Sequence, residues 1–269
     1  MIKFFRKIRQ KLLNENKFSK YLLYAFGEII LVVIGILIAL QINNWNTERI
    51  NNNRVKQYAK SLIQDLENDI AMINVSQFQA KKSFKKIDSL RSYILSKDLS
   101  ELSNTDFFVL THDIMYRPYM WNRSTFNEMK NSEILHNFKN DSLKKKLIAY
   151  ESFSYHLDED FDQDMTNAHK AEEVTSEIMD LNNPYFSQML VLENERFNDP
   201  TLDLFKTIEY QKAKKEDRVF QITDENNLKK FVNAYIRIQD SYRIRAFKEM
   251  DEIKGNAKEI IQFLNYESQ

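Results

Sequence analysis

The chain has 269 residues with 39 basic and 39 acidic side chains, so it carries no net charge that would attract it to nucleic acid. It contains no cysteine, which excludes disulfides, thiolate metal sites and cysteine nucleophiles. Only three glycines and three prolines interrupt it, and this composition is typical of long helices.

The first 20 residues (1–20) form a predicted basic leader. They contain seven lysines and arginines against one acid, Glu15. Apolar residues recur on one helical face, at Ile2, Phe5 and Ile8, so the leader fits a short amphipathic helix on an anionic membrane surface. A disordered basic tail that only sets the topology is the alternative, and both place the leader in the cytoplasm.

Residues 21–45 form a predicted transmembrane signal-anchor helix. The apolar stretch between Tyr24 and Trp45 measures roughly 31 Å at about 1.5 Å per residue, close to the hydrocarbon thickness of a bilayer. Tyr21, Tyr24 and Trp45 are then expected at the two membrane interfaces, where aromatic side chains are common. Four basic residues at 43–60 follow the seven that precede Tyr21. This asymmetry predicts a cytoplasmic N-terminus and a periplasmic domain at a bacterial inner membrane.

Residues 46–269 are predicted to form one extracytoplasmic domain of the all-α class. Apolar residues recur at alternating steps of three and four along residues 46–100, 141–182 and 228–264. Each seam indicates one long amphipathic helix with a buried face, and the last seam extends over about five heptads, as in a coiled coil. Three such helices favour an antiparallel bundle.

Two shorter helices are expected between the first and second long ones. One covers residues 106–116 and is stopped by Pro118, because a residue before proline is pushed out of helical geometry. The other starts at Thr125, whose spacing to Glu128 is that of a capping box, and it ends near residues 137–140.

The remaining boundaries depend on single residues. Asp141 is expected to cap the second long helix. Residues 181–223 are expected to form a less regular insertion with a short helix at 201–215. Strand-like runs at 188–192 and 219–222 are the alternative, although neither keeps an alternating pattern.

The acidic run from His156 to Asp164 is the sharpest chemical candidate. It resembles the start of a calcium-binding loop, but Gln163 stands where that loop needs glycine. His156 and Asp160 share a helical face and could hold a metal ion, yet no third ligand is identifiable from spacing. We therefore expect an ordinary solvated acidic face and no metal site.

No motif indicates an enzyme. The histidines lack a serine or carboxylate at a spacing typical of nucleophilic catalysis, and the chain has no glycine-rich loop for phosphate. We expect no catalytic residue and no cofactor. Tyr119 and Trp121, beside Pro118 in a loop, form the one aromatic cluster that could face a partner, because the other aromatic residues keep the spacing of a core.

The predicted transmembrane helix carries one stripe of unusual residues. Glu28, Gly35 and Ala39 are spaced by seven and four residues, so they share a helical face with Ile42. Small residues four apart let two helix backbones approach, so the stripe predicts a homo-oligomer or another membrane-protein partner besides the lipid bilayer. Glu28 would face that contact, couple an ion, or stay hydrated by reaching the lipid headgroups.

Several segments carry a resemblance to a known family. They are the first ten residues, Phe18–Tyr21, Gly27-Glu28, Ile34–Leu40, Asn43–Asn46, Thr125–Leu135, Asn140–Leu143 and Ala149–Glu151. Together they resemble a family of bacterial single-pass membrane proteins described as a domain of unknown function. The resemblance implies an inner-membrane location and a helical domain. Because that family has no assigned activity, it implies no catalytic residue.

Three functions of different kinds follow from these observations. The first is a noncatalytic scaffold, interaction or sensing module at the membrane. The second is an ion-coupled subunit of a stator-like complex in which Glu28 is the membrane carboxylate, a layout that rests on analogy. The third is a metal-dependent enzyme that uses His156 and its acidic neighbours. The lack of a catalytic motif favours the first.

Single cysteines placed in turn at positions 31 to 42 test the predicted helix contact. Crosslinking in native membranes should peak at positions 35, 39 and 42 and fall at 33, 37 and 40, because one face of a helix meets its partner. The yield of crosslinked dimer on non-reducing gels is the measurement. Flat or absent yields at every position would show that the chain does not associate with itself through this stripe.

Overall fold

The computed structural model describes residues 18–132, 134–195, 202–217 and 225–267. Within these ranges no strand occurs, which confirms the predicted all-α class. The helices are α1 (Phe18–Leu95), α2 (Asn104–Thr111), α3 (Ser124–Asn131), α4 (Asp141–Ile178), α5 (Phe186–Glu195), α6 (Ile208–Lys215), α7 (Glu225–Ile244) and α8 (Met250–Glu267). Short 3-10 turns cover Leu99–Glu101, Ile134–Asn137 and Leu204–Lys206, and a π-helical turn at Arg245–Glu249 joins α7 to α8. The leader up to residue 17 and the strand-like run at 219–222 lie outside the described residues.

α1 is a single helix of 78 residues, so the predicted transmembrane segment and the first domain helix are one element. Its glycines, Gly27 and Gly35, lie in the first third, and it has no proline. Apolar side chains between Ile29 and Trp45 are exposed, whereas a seam further along the helix is buried. The seam comprises Val55, Ala59, Leu62, Leu66, Ile73, Ala80, Ile87 and Leu90. α1 therefore leads from an uncovered apolar segment directly into the core.

The predicted C-terminal end of α2 is wrong. The helix ends at Thr111, well before residue 116. His112 already has an extended backbone, with ψ of 141°, and Asp113 follows with a left-handed φ of 60°, so neither residue continues the α-helix. The chain has thus left helical geometry before Pro118 is reached. At the other end, the Ser103 side chain caps α2 by accepting a hydrogen bond from the Asp106 N–H.

The predicted capping box at Thr125 is also wrong. α3 starts at Ser124, with Arg123 in the N-cap position. Glu128 accepts a hydrogen bond from the Tyr58 hydroxyl on α1 at 2.8 Å. The Glu128 side chain is therefore used in a tertiary hydrogen bond to Tyr58 and not in the local capping box.

α4 differs from its prediction at both ends. Its capping residue is Asn140, whose side chain accepts hydrogen bonds from two backbone N–H groups of the first turn. Asp141 is instead the first helical residue and pairs with Lys144 at 2.8 Å. The helix ends at Ile178, before the predicted stop at Asn182.

The described part of the insertion at 181–223 is helical where it is regular. α5 covers the strand-like run at 188–192, so that alternative is wrong there. α6 starts at Ile208, later than the predicted helix at 201–215, because Thr207 caps it through the Tyr210 N–H.

Asp106 ties α6 to α2 and α1. Its carboxylate accepts hydrogen bonds from Tyr93 at 2.7 Å, from Tyr210 at 2.6 Å and from Lys214 at 2.7 Å. Burial alone would raise the pKa of this carboxyl, but the three donors outweigh burial and lower the pKa. The insertion is thus held by a charged, fully paired side chain.

α1 and the α7–α8 segment pack along each other in opposite directions. Gln77 on α1 donates a hydrogen bond to the Ala246 carbonyl at 2.6 Å. Further along α1, Asp88 accepts one from Gln239 at 2.6 Å. The residue number in the α7–α8 segment falls as the residue number in α1 rises, so the two segments are antiparallel.

α4 also runs opposite to the α7–α8 segment. Lys146, near its start, pairs with Glu259 at 2.6 Å, and Thr175, near its end, shares a hydrogen bond with Tyr235 at 2.8 Å. The core lies between these helices. Its largest fully buried side chains include Leu66, Ile73, Phe107, Phe138, Leu157, Phe231 and Tyr242.

Leu157→Ala should lower the free energy of unfolding by roughly 2–5 kcal/mol, because the side chain is fully buried and its removal leaves a cavity. Ile148→Ala on the same helix is the control, since Ile148 is 54% exposed, and it should change stability by no more than about 0.5 kcal/mol. Urea unfolding of the full chain in detergent, followed by far-UV circular dichroism, measures both. Equal losses would contradict the buried face assigned to α4.

Candidate functional site

A buried arginine lies where α7 passes into α8. Arg245 starts the π-helical turn, a feature often found at functional sites, and is only 9% exposed. Its Nη2 lies 2.9 Å from Asp160 Oδ1, its Nε lies 3.3 Å from Asp164 Oδ2 and its Nη1 lies 2.6 Å from Glu249 Oε2. We call these four residues the Arg245 cluster. Since two of the acids come from α4, the cluster joins α4 to the π-helical turn.

Asp164 is the most deeply buried acid of the Arg245 cluster, with 1% of its surface exposed. Its Oδ2 also accepts a hydrogen bond from the Tyr116 hydroxyl at 2.8 Å. Tyr116 comes from the loop after α2, and its ring packs edge-on against Tyr242 with 5.1 Å between centroids. The loop, α4 and α7 thus meet at one carboxylate.

The Arg245 cluster holds more negative than positive charge. Three carboxylates face one guanidinium, which leaves two negative charges in excess when all four groups are ionised. Burial raises the pKa of both Asp160 and Asp164, because a charged carboxylate loses its hydration there. Burial also disfavours the charged guanidinium, but attraction to Asp164 and Glu249 outweighs it and raises the pKa of Arg245. A proton or a cation can neutralise the excess.

The interpretation of the acidic run at 156–164 as a solvated face is therefore wrong for two of its members, Asp160 and Asp164. The signal for Asp164 was present in the sequence. It follows Leu157 by seven residues and precedes Ala171 by seven, so it lies on the buried seam of α4. A buried seam that is assigned from apolar residues alone does not include a carboxylate at one of its positions.

The structure supplies the third metal ligand that the sequence lacked. His156 lies one helical turn before Asp160 on α4, and Glu249 comes from the π-helical turn. One ligand atom from each of these side chains lies within 4.8 Å of the other two. His156 is half exposed, so the group opens to solvent on its side. Among the described residues, these three side chains are placed so that they could hold a metal ion.

A groove of about 750 Å³ opens between the end of α2, α4 and α7. Phe108, Met179 and Tyr235 contribute apolar walls, and His112 and His169 contribute polar groups. This volume is within the range of small-molecule sites. The sequence did not predict the groove, because its walls come from segments far apart in the chain.

α1 is long and apolar enough to cross a membrane, by length and composition. Tyr24 and Trp45, the predicted interface residues, are exposed at the two ends of its apolar stretch. Trp45 also lies under the guanidinium of Arg49, at 5.9 Å from the ring centroid. The side chain of Tyr21 lies outside the described part of the chain.

The stripe of Glu28, Gly35 and Ala39 lies within the same apolar part of α1. Gly35 and Ala39 are exposed and Glu28 is half-buried. A Cβ added at Gly35 would meet nothing within 4 Å among the described residues. The stripe therefore has room for a second helix, and the predicted contact stays a prediction.

The predicted partner patch, Tyr119 and Trp121, lies mostly inside the fold. Tyr119 is buried and stacks on Trp121 with 5.1 Å between centroids. The indole N–H of Trp121 donates to Asp158 at 2.7 Å, and Arg123 binds the other oxygen of Asp158 at 2.7 Å. Both aromatic residues thus have contacts within the chain, and Trp121 is the one that reaches solvent.

The sequence model of a family of unknown function (DUF6090) matches residues 28–116. The predicted similarity to a family of unknown function is confirmed over that segment, which covers most of α1, α2 and the loop up to Tyr116. No curated protein and no solved structure matches the chain.

Arg245→Ala should lower the free energy of unfolding by roughly 3–5 kcal/mol at neutral pH, because it leaves buried carboxylates without their counter-charge. Without the guanidinium, Asp160 and Asp164 bind protons more tightly in the folded than in the unfolded chain, since burial already raises their pKa. Stability should therefore recover as the pH falls from neutral through the raised pKa values of these two carboxyls. Urea unfolding at several pH values is the measurement.

Arg243→Ala is the matched control for this substitution. Arg243 lies two residues away, is 61% exposed in its side chain and contacts Asp240 at 3.9 Å. Its removal should change the free energy of unfolding by no more than about 0.5 kcal/mol at any pH. Similar losses for the two variants, or a loss at Arg245 that does not vary with pH, would contradict the electrostatic role of the cluster.

Proposed function

We propose that this protein is a noncatalytic, membrane-anchored module that binds a partner or senses a ligand outside the cytoplasm of a bacterium. In this arrangement the leader is cytoplasmic and residues 21–45 cross the inner membrane. The helices from residue 46 onward form a periplasmic antiparallel bundle.

The distribution of burial along α1 carries the proposal. None of the most apolar part of α1 is buried by the described residues, and the side chains between Ile29 and Trp45 are exposed. A continuous apolar surface of this kind is unfavourable in water. A bilayer would cover it, and a helix satisfies its backbone hydrogen bonds within itself, as a membrane span must.

The continuity of α1 supports a module that links the membrane to its domain. Helix kinks arise mainly at proline, at glycine or where hydrogen bonds are interrupted, and residues 46–95 contain neither proline nor glycine. The buried seam from Val55 to Leu90 therefore keeps a constant orientation relative to the apolar segment. A rotation or shift of the span would reach the core helices directly.

Two surfaces suit the binding role. The open stripe at Gly35 and Ala39 suits a second copy of the chain or another membrane protein, since small residues let helices approach closely. The groove beside Tyr235 suits a small ligand, because it combines apolar walls with a few polar groups.

Ile34→Lys combined with Ile38→Lys should abolish membrane anchoring. Each lysine near the centre of a span costs about 2.5–3.5 kcal/mol of insertion free energy. A reporter enzyme that is active only in the periplasm, fused after Gln269, and resistance of the chain to alkaline carbonate extraction are the two measurements. The unaltered chain should give an active reporter and stay in the membrane fraction, whereas the lysine variant should fail both tests.

The matched control is Ile34→Ala combined with Ile38→Ala, which changes the same sites without adding charge and should behave as the unaltered chain. An inactive reporter on the unaltered chain, with a reporter active only in the cytoplasm switched on, would overturn the orientation. Extraction of the unaltered chain by carbonate would overturn the anchor.

A further inference from the structure

His156 and Asp160 form an ion pair one helical turn apart on α4, and the spacing of this pair also fits two ligands of one metal ion. His156 Nε2 and Asp160 Oδ2 lie 3.2 Å apart, yet Oδ2 makes no hydrogen bond to any described residue and is shielded from solvent. An acceptor that is shielded from solvent and receives no hydrogen bond is costly. Two ligands of one tetrahedral ion lie about 3.3 Å apart when each is about 2.0–2.1 Å from the metal. The separation of Nε2 and Oδ2 matches that value.

Glu249 completes the group from another helix. Its carboxylate comes from the last residue of the π-helical turn, and its ligand atom is within 4.8 Å of those of His156 and Asp160. A tetrahedral ion needs about 3.3 Å between its ligands, so where the separation exceeds this the Glu249 side chain moves towards the ion to bind it. His156 is half exposed, so a water molecule can take a fourth position.

Arg245 holds both carboxylates in place. Its guanidinium binds Asp160 through Oδ1, which leaves Oδ2 directed towards His156, and it binds Glu249 through Oε2. Metal-binding carboxylates are commonly oriented by such an outer hydrogen-bond donor. The orientation of the group thus does not depend on the exposed histidine.

The charge of the Arg245 cluster matches a divalent ion. Three carboxylates and one guanidinium leave two negative charges in excess, and a neutral imidazole adds none. An ion of charge +2 would balance the cluster. The same ion would lie beside Oδ2 of Asp160, which receives no hydrogen bond from the described residues.

We propose that His156, Asp160 and Glu249 bind one divalent transition-metal ion, with Zn²⁺ as the best match. Zinc accepts imidazole nitrogen together with carboxylate oxygen in a tetrahedral arrangement, whereas Ca²⁺ and Mg²⁺ favour oxygen ligands alone. The ion would clamp α4 to the π-helical turn. The site adds a metal-responsive contact to the domain and is independent of whether α1 crosses a membrane.

Calorimetric titration of Zn²⁺ into the full chain, purified in detergent and stripped with a chelator, tests the site. We expect one Zn²⁺ per chain, and His156→Ala and Glu249→Gln should each weaken binding by about tenfold or more, since each removes a ligand. His136→Ala and Glu159→Gln are the controls, because they remove an exposed histidine and an exposed acid outside the site. Both controls should bind as the unaltered chain does.

Co²⁺ provides a second readout that reports the ligands. The visible absorption of bound Co²⁺ should be that of a tetrahedral site in the unaltered chain, and this absorption should be lost in His156→Ala. Because His156 is half exposed, the substitution should leave the fold intact. No Zn²⁺ binding in the micromolar range would overturn the proposal. Equal binding by His156→Ala and His136→Ala, or a preference for Ca²⁺ or Mg²⁺ over Zn²⁺, would overturn it as well.

Discussion

The continuity of α1 is the constraint on which the rest of the structure depends. A helix of 78 residues, about 117 Å long at about 1.5 Å per residue, cannot bury all of its apolar surface in one small domain. Its buried seam begins at Val55, and the α7–α8 segment packs along that part. The apolar segment before Trp45 is left uncovered. The uncovered apolar segment and the buried seam belong to one continuous helix. Whatever covers the apolar segment is therefore coupled to the packing of the seam.

The acidic run of α4 is used for internal contacts. Asp158 binds Trp121 and Arg123 of the loop before α3, while Asp160 and Asp164 bind Arg245. A buried ion pair gives little net stability relative to apolar packing, because both charges lose hydration. Its contacts are specific in geometry, however. They place α4 at one position relative to the π-helical turn, where apolar residues alone would tolerate others.

The loop between α2 and α3 connects the two groups of polar contacts. Asp113 turns the chain away from α2 with its positive φ, and Tyr116 then reaches Asp164. Asn122, further along, binds Asp65 on α1 at 2.5 Å. A segment without regular structure is therefore tied to α4 and α1 by side chains, which explains why so many of its aromatic residues are buried.

The sequence by itself determined the all-α class and the course of the long helices, because apolar spacing is a local property of each helix. The sequence did not determine the helix caps. At the start of α3, for example, a tertiary hydrogen bond from Tyr58 uses the Glu128 side chain that the predicted capping box required. The sequence also identified His156 and Asp160 as neighbours on one helical face. Only the tertiary structure brought Glu249 and Arg245 to them, since the meeting of distant segments depends on how the helices pack and on the burial that packing creates.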